Sequence, residues 1–104
     1  MFCFLGFSQT KKFAEKENTA VFTTKFVINE NKEITEVYHD IDDGAWQFFS
    51  NDKFENYAKV AMIVTLGQII KKDITLLEIS DLPLGYYAIR KAKGQKWTIK
   101  KTLQ

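Results

Sequence analysis

Apolar and polar positions alternate most clearly over Ala20–Ile28. Phe22, Thr24, Phe26 and Ile28 fall on one side, and Val21, Thr23, Lys25 and Val27 on the other. Period two with β-branched and aromatic residues predicts a strand. Asn29-Glu30-Asn31-Lys32 predicts a turn, because Asn tolerates left-handed backbone geometry. Glu33–Asp40 predicts a return strand with one wet face, Ile34, Val37 and Tyr38 standing among charges. Asp42-Asp43-Gly44 is a second turn signal, and Ala45–Ser50 a third strand carrying Trp46, Phe48 and Phe49. Three strands joined by two short turns predict a meander.

The second half changes period. Asn51–Tyr57 is polar and predicts a loop. Lys59–Thr65 is nearly continuous in apolar residues and predicts a buried strand, a short helix being the alternative by period alone. Thr65 and Gln68 form a Thr-x-x-Gln capping box for a helix that buries Leu66, Ile69 and Ile70 and ends at Lys71-Lys72. Asp73 is placed to cap a second short helix over Ile74–Ile79. Pro83 holds Leu82 out of helical geometry. Tyr86–Ala92 and Trp97–Lys101 predict a final pair of strands around Lys93-Gly94-Gln95. The expected fold class is α+β: a mainly antiparallel sheet of five to six strands, with one or two short helices between the fourth strand and the C-terminal hairpin.

Length and composition add bounds. The 104 residues, 45% hydrophobic and 27% charged, suit one globular domain with its own core. A disordered tail, a collagen-like rod and a disulfide scaffold are excluded. Residues 1–19 are expected as an N-terminal segment, loosely ordered or packed on a single domain over 20–104. The opening run Met1-Phe2-Cys3-Phe4-Leu5-Gly6-Phe7 is too short to span a bilayer and lacks a preceding basic region. With no signal peptide expected and one cysteine, the expected location is cytoplasmic, with no membrane span.

Charge is unevenly spread. The net charge is +2, but residues 1–52 hold five basic and nine acidic groups, and residues 53–104 hold ten basic and four acidic. Glu30, Glu33, Glu36, Asp40, Asp42 and Asp43 have only Lys32 among them. Arg90, Lys91, Lys93, Lys96, Lys100 and Lys101 have no acid among them. Such asymmetry bears on partners or on internal pairing. If the two hairpins lie side by side, the charges neutralise across strands, which tunes the fold without function.

Candidate chemistry is sparse. His39-Asp40-Ile41-Asp42-Asp43 has residue types that suit a divalent cation or acid–base work, but no second His exists and the run does not match a calcium loop. Its bland alternative is a solvated turn. Cys3 lies in an aromatic run, not in the electropositive setting of a reactive thiolate. No glycine-rich phosphate loop occurs, so neither a dinucleotide nor any other cofactor is expected. Two binding surfaces remain. Glu36, Asp40, Asp42, Asp43 and Trp46 would present an acidic edge and an aromatic anchor to a basic protein, such as a nuclease toxin. Arg90, Lys91, Lys96, Trp97 and Lys100 would offer cations and a ring to nucleic acid, or, as a basic edge, meet an acidic protein.

Two stretches carry a family resemblance. One is Tyr38-His39-Asp40-Ile41-Asp42-Asp43-Gly44-Ala45-Trp46-Gln47-Phe48. The other runs from Val64-Thr65-Leu66-Gly67-Gln68-Ile69-Ile70 through Asp73, Leu76-Leu77-Glu78 and Asp81-Leu82-Pro83-Leu84-Gly85 to Arg90. Together they resemble a bacterial domain-of-unknown-function family, part of which is classed as immunity proteins of polymorphic toxin systems. The resemblance implies a non-enzymatic, cytoplasmic protein that binds and blocks a toxin domain. The shared motifs read as structural.

Overall fold

The computed structural model describes residues 11–102; the apolar run at residues 1–7 lies outside the described residues. Six strands form one mixed sheet: β1 (Ala20–Thr24), β2 (Glu36–His39), β3 (Trp46–Phe49), β4 (Ala61–Thr65), β5 (Tyr86–Ile89) and β6 (Thr98–Lys101). Their spatial order is β4-β1-β3-β2-β5-β6, antiparallel throughout except for the β1–β3 pair. The helices are α1 (Lys25–Ile28), α2 (Tyr57–Val60) and α3 (Leu66–Lys72), followed by a 3-10 helix over Ile74–Ile79. The fold class is therefore α+β, as the pattern predicts. Among the described residues no helix is long and apolar enough to cross a membrane.

Local chemistry explains the segments that match the sequence reading. Thr65 accepts the Gln68 backbone N–H at 3.2 Å, and the Gln68 side chain accepts the Thr65 N–H at 2.8 Å, completing the capping box of α3. Asp73 accepts from the Thr75 N–H at 3.0 Å and starts the 3-10 helix. Gly44 has φ +73° in the β2–β3 turn, and Gly94 has φ +85° in the β5–β6 turn, a region that L side chains rarely occupy.

Three expectations need correction. The strand over Ala20–Ile28 ends at Thr24, whose side chain caps α1 through the Val27 N–H at 3.4 Å. The helical turn carries Val27 to zero exposure in the core, so burial overrides strand propensity. The meander does not form either. β2 and β3 make a hairpin, but β1 lies beyond β3 and runs parallel to it. Finally, β4 is not buried. It is an edge strand, with Ile63 65% exposed, while its partner β1 is shielded between β3 and β4.

The core lies on one face of the sheet. Val21, Val37, Trp46, Phe48 and Ala88 meet Leu66 and Ile69 of α3 and Leu76 and Ile79 of the 3-10 helix. Phe13 joins them from the N-terminal side and meets the Trp46 ring edge-on at 4.8 Å. Such edge-to-face geometry suits the ring quadrupoles. Residues of opposite parity on the same strands face the other way, onto a side that, among the described residues, α3 and the 3-10 helix leave uncovered.

Candidate functional site

The acidic hairpin turns its carboxylates on itself. The Asp40 N–H donates to the Ala45 carbonyl at 2.8 Å, closing the loop between β2 and β3. Asp40 Oδ1 accepts the Asp42 N–H at 3.1 Å, and Asp43 Oδ1 accepts the Ala45 N–H at 2.9 Å. These are turn-forming bonds of the kind Asp favours. His39 points elsewhere. Its Nδ1 lies 2.6 Å from the Leu82 carbonyl, so Nδ1 carries the hydrogen, because a carbonyl only accepts. Its ring stacks on Trp46 at 3.9 Å. His39 and Asp40 therefore serve different contacts and do not form an acid–base pair. Among the described residues, no three of His, Cys, Asp and Glu are grouped to hold a metal ion.

Trp46 is the first correction to the expected sites. It is 2% exposed, and its indole N–H donates to Glu15 Oε2 at 3.0 Å. It anchors residues 11–19 to the core and is not available to a partner. Glu36, Asp40, Asp42, Asp43 and Trp46 do not form one surface. Asp42 and Asp43 are exposed at the hairpin tip, Asp40 is half-buried there, and Glu36 lies on the uncovered side of the sheet.

The basic hairpin divides in the same way. Arg90 is 5% exposed, and its Nη2 lies 2.6 Å from Asp73 Oδ2. The same guanidinium donates to the Ile34 carbonyl from Nε at 3.1 Å and from Nη2 at 2.9 Å, and to Thr75 Oγ1 from Nη1 at 2.8 Å. Trp97 lies across it, 4.1 Å from Cζ to ring centroid, and packs against the core. Arg90 and Trp97 thus clamp β5 to the 3-10 helix; Arg90 is buried away from nucleic acid, and Trp97 is half-buried against the guanidinium. Lys91, Lys96 and Lys100 remain exposed.

Alternation brings these lysines together with aromatic rings. On the uncovered side the register places Gln47, Tyr38, Tyr87 and Lys100 in one row across β3, β2, β5 and β6. A second row holds Phe49, Glu36, Ile89 and Thr98. Tyr38 and Tyr87 stack with centroids 5.1 Å apart and planes 17° from parallel. Phe49 meets Tyr38 edge-on at 5.9 Å, and Phe54 and Tyr57 pack around Phe49. Burial is the main cause that raises the Tyr38 phenol above 10.0, followed by the Glu36 carboxylate. Burial likewise raises Tyr57.

Two shallow grooves lie on this side. One of about 300 Å³ is lined by Glu36, Tyr38, Gln47, Phe49 and Phe54. The other, of about 460 Å³, is lined by Ile89, Arg90, Lys91, Gln95, Lys96 and Thr98. Glu36 of the first pairs across the strands with Ile89 of the second. The surface is aromatic in the middle and lysine-rich towards β6.

The acidic and basic segments do lie side by side, since β2 pairs with β5. They do not neutralise each other. None of the described ion pairs joins residues 30–43 to residues 90–101; they meet through hydrogen bonds, the Lys93 backbone N–H on Glu33 Oε1 at 2.9 Å and Arg90 on the Ile34 and Thr35 carbonyls. The aromatic row escaped the sequence reading, although adjacent bulky residues signal it. Val37-Tyr38, Phe48-Phe49 and Tyr86-Tyr87 each put an apolar or aromatic side chain on both faces of a strand.

Compared with known proteins, the chain matches no family model, no curated protein and no solved structure.

Proposed function

We propose that this chain is a non-enzymatic protein-binding domain that docks an acidic surface of its partner onto the uncovered side of the sheet. The observation that carries the reading is the stacked Tyr38–Tyr87 pair beside exposed Lys91, Lys96 and Lys100. Tyr is enriched at binding hot spots, and flanking charges steer association and suppress wrong partners. Residues 38–48 and 64–90 resemble a bacterial domain-of-unknown-function family, part of which is classed as immunity proteins of polymorphic toxin systems, and this supports a toxin domain as that partner. Binding would then block the toxin by covering it.

Nucleic acid is the second reading, favoured by the same lysines next to stacking rings. Glu36 weighs against it. Its carboxylate sits 3.4 Å from the Tyr38 hydroxyl, in the middle of the surface where a phosphate backbone would run.

The two readings separate on one experiment. Tagged protein is incubated with lysate of the source cells at low and high salt, alongside a Tyr38→Ala/Tyr87→Ala variant and an Asp42→Lys/Asp43→Lys control. One stoichiometric protein retained at high salt, lost with the tyrosine variant and kept by the control, supports the protein-binding reading. Nucleic acid that washes off with salt supports the second reading, because phosphate contacts are salt-dependent. A protein lost only in the control variant contradicts the assignment of the surface.

A further inference from the structure

The two edges of the sheet are built differently. β6 carries Lys100 and Lys101, the residue type that guards exposed edges. β4, at the opposite edge, reads Ala61-Met62-Ile63-Val64-Thr65 and carries no charge.

The backbone of β4 leaves little to offer outward. The Leu66 N–H donates across to the Thr19 carbonyl at 2.8 Å, which makes Thr19 and Leu66 a hydrogen-bonded pair. Alternation then directs Val64 and Met62 at β1, and Ala61, Ile63 and Thr65 away from the sheet. The Ala61 N–H is taken by the Tyr57 carbonyl at the end of α2. The Thr65 N–H is taken by the Gln68 side chain. On β4, the Ile63 N–H and carbonyl are the one complete pair left without a partner among the described residues. The Ile63 side chain is 65% exposed and stands beside Phe22 on the uncovered side.

We propose that this edge is an interface between two copies of the chain, with β4 antiparallel to its counterpart about a two-fold axis at Ile63. In that arrangement each Ile63 N–H donates to the other Ile63 carbonyl, so both unpartnered groups are closed at once. The two Ile63 side chains become neighbours, and two six-stranded sheets join edge to edge. An axis normal to the sheet keeps both uncovered faces on the same side. Charge complementarity favours a second copy as the occupant. The register carries the exposed Lys59 of each copy towards Gly67 of the other. There the Glu17 side chain lies 3.3 Å from where a Gly67 Cβ would stand. An isologous contact of this kind is self-limiting, stopping at two copies.

The test is sedimentation velocity over a concentration series, with amide hydrogen exchange read at Ile63. The proposal predicts a concentration-dependent monomer–dimer equilibrium in which Ile63 exchange slows as dimer forms. Ile63→Pro removes only the outward N–H and leaves the β1–β4 ladder intact; Pro is tolerated on such edges. Ile63→Pro and Ile63→Lys both give monomer at every concentration. Lys59→Glu weakens dimerisation by roughly two- to tenfold, and Lys59→Glu with Glu17→Lys restores it. A wild-type monomer at every concentration overturns the proposal. Protection of Ile63 within that monomer would assign the edge to residues 1–10 of the chain itself. Protection only on addition of another protein would assign it to a foreign strand. A dimer that survives Ile63→Lys also overturns it, by placing the interface elsewhere.

Discussion

Arg90 Nη2 lies 2.6 Å from Asp73 Oδ2, with the two side chains 0% and 4% exposed. The pair joins the last residue of the β5 side to the cap of the 3-10 helix. Trp97 on one side and the Ile34 carbonyl on the other complete the enclosure. Removing one partner leaves the other buried and uncompensated. Arg90→Met is therefore expected to destabilise the fold by about 3–5 kcal/mol, read from urea unfolding. Arg90→Lys does not rescue it, since an ammonium cannot reproduce the fork that meets Ile34, Thr75 and Asp73 together.

The capping box at the start of α3 makes a smaller prediction. Thr65→Ala removes the acceptor of the Gln68 N–H. The expected loss is about 0.5–2 kcal/mol in thermal or chemical unfolding. Thr65→Ser keeps the hydroxyl and most of the stability. An unchanged midpoint in Thr65→Ala would show that tertiary packing of Leu66 and Ile69 alone holds the helix.

Alkaline pH probes the aromatic surface. Tyr38 and Tyr57 both titrate above 10.0 in the folded chain, chiefly through burial. The folded state holds these protons more tightly than the unfolded one, so their contribution is fully present below pH 10.0 and is lost as pH rises through the folded values. Stability should fall above that point. Tyr38→Phe should reduce the fall, and ultraviolet titration of tyrosinate should lose one of its components above 10.0. A titration unchanged by Tyr38→Phe would contradict the burial assigned to that phenol.

Trp46 offers an optical check on the N-terminal segment. Its indole N–H meets Glu15, and Phe13 packs on its ring. Glu15→Ala leaves the N–H buried without an acceptor, which costs about 1–3 kcal/mol. The Trp46 emission should shift, with a matching loss of protection from proteolysis over residues 11–19. Emission and cleavage unchanged by Glu15→Ala would contradict this tether.

What the sequence made legible was what neighbouring residues decide. Thr65 with Gln68, Asp73 before Ile74, and Asp43 before Gly44 each satisfy backbone groups within four residues, so their type and spacing suffice. The parallel β1–β3 pair brings together Phe22 and Gln47, and nothing local specifies a partner at that separation. The same reason hid the division of the basic hairpin. Arg90 and Lys91 are adjacent cations, and only the strand's orientation sends one to Asp73 and the other to solvent. Trp46 misled for a related reason. A Trp in an acidic turn reads as an anchor until Glu15 and Phe13, some thirty residues earlier, are seen to enclose it.

The most direct measurement of the binding claim is site-specific photo-crosslinking in the source cells. A photoreactive phenylalanine analogue replaces Tyr87 in one strain and Asp42 in another. The account predicts one discrete protein adduct from position 87, on the stacked aromatic surface, and none from position 42 at the acidic hairpin tip. An adduct from position 42 without one from 87, or nucleic acid trapped at 87, would contradict it.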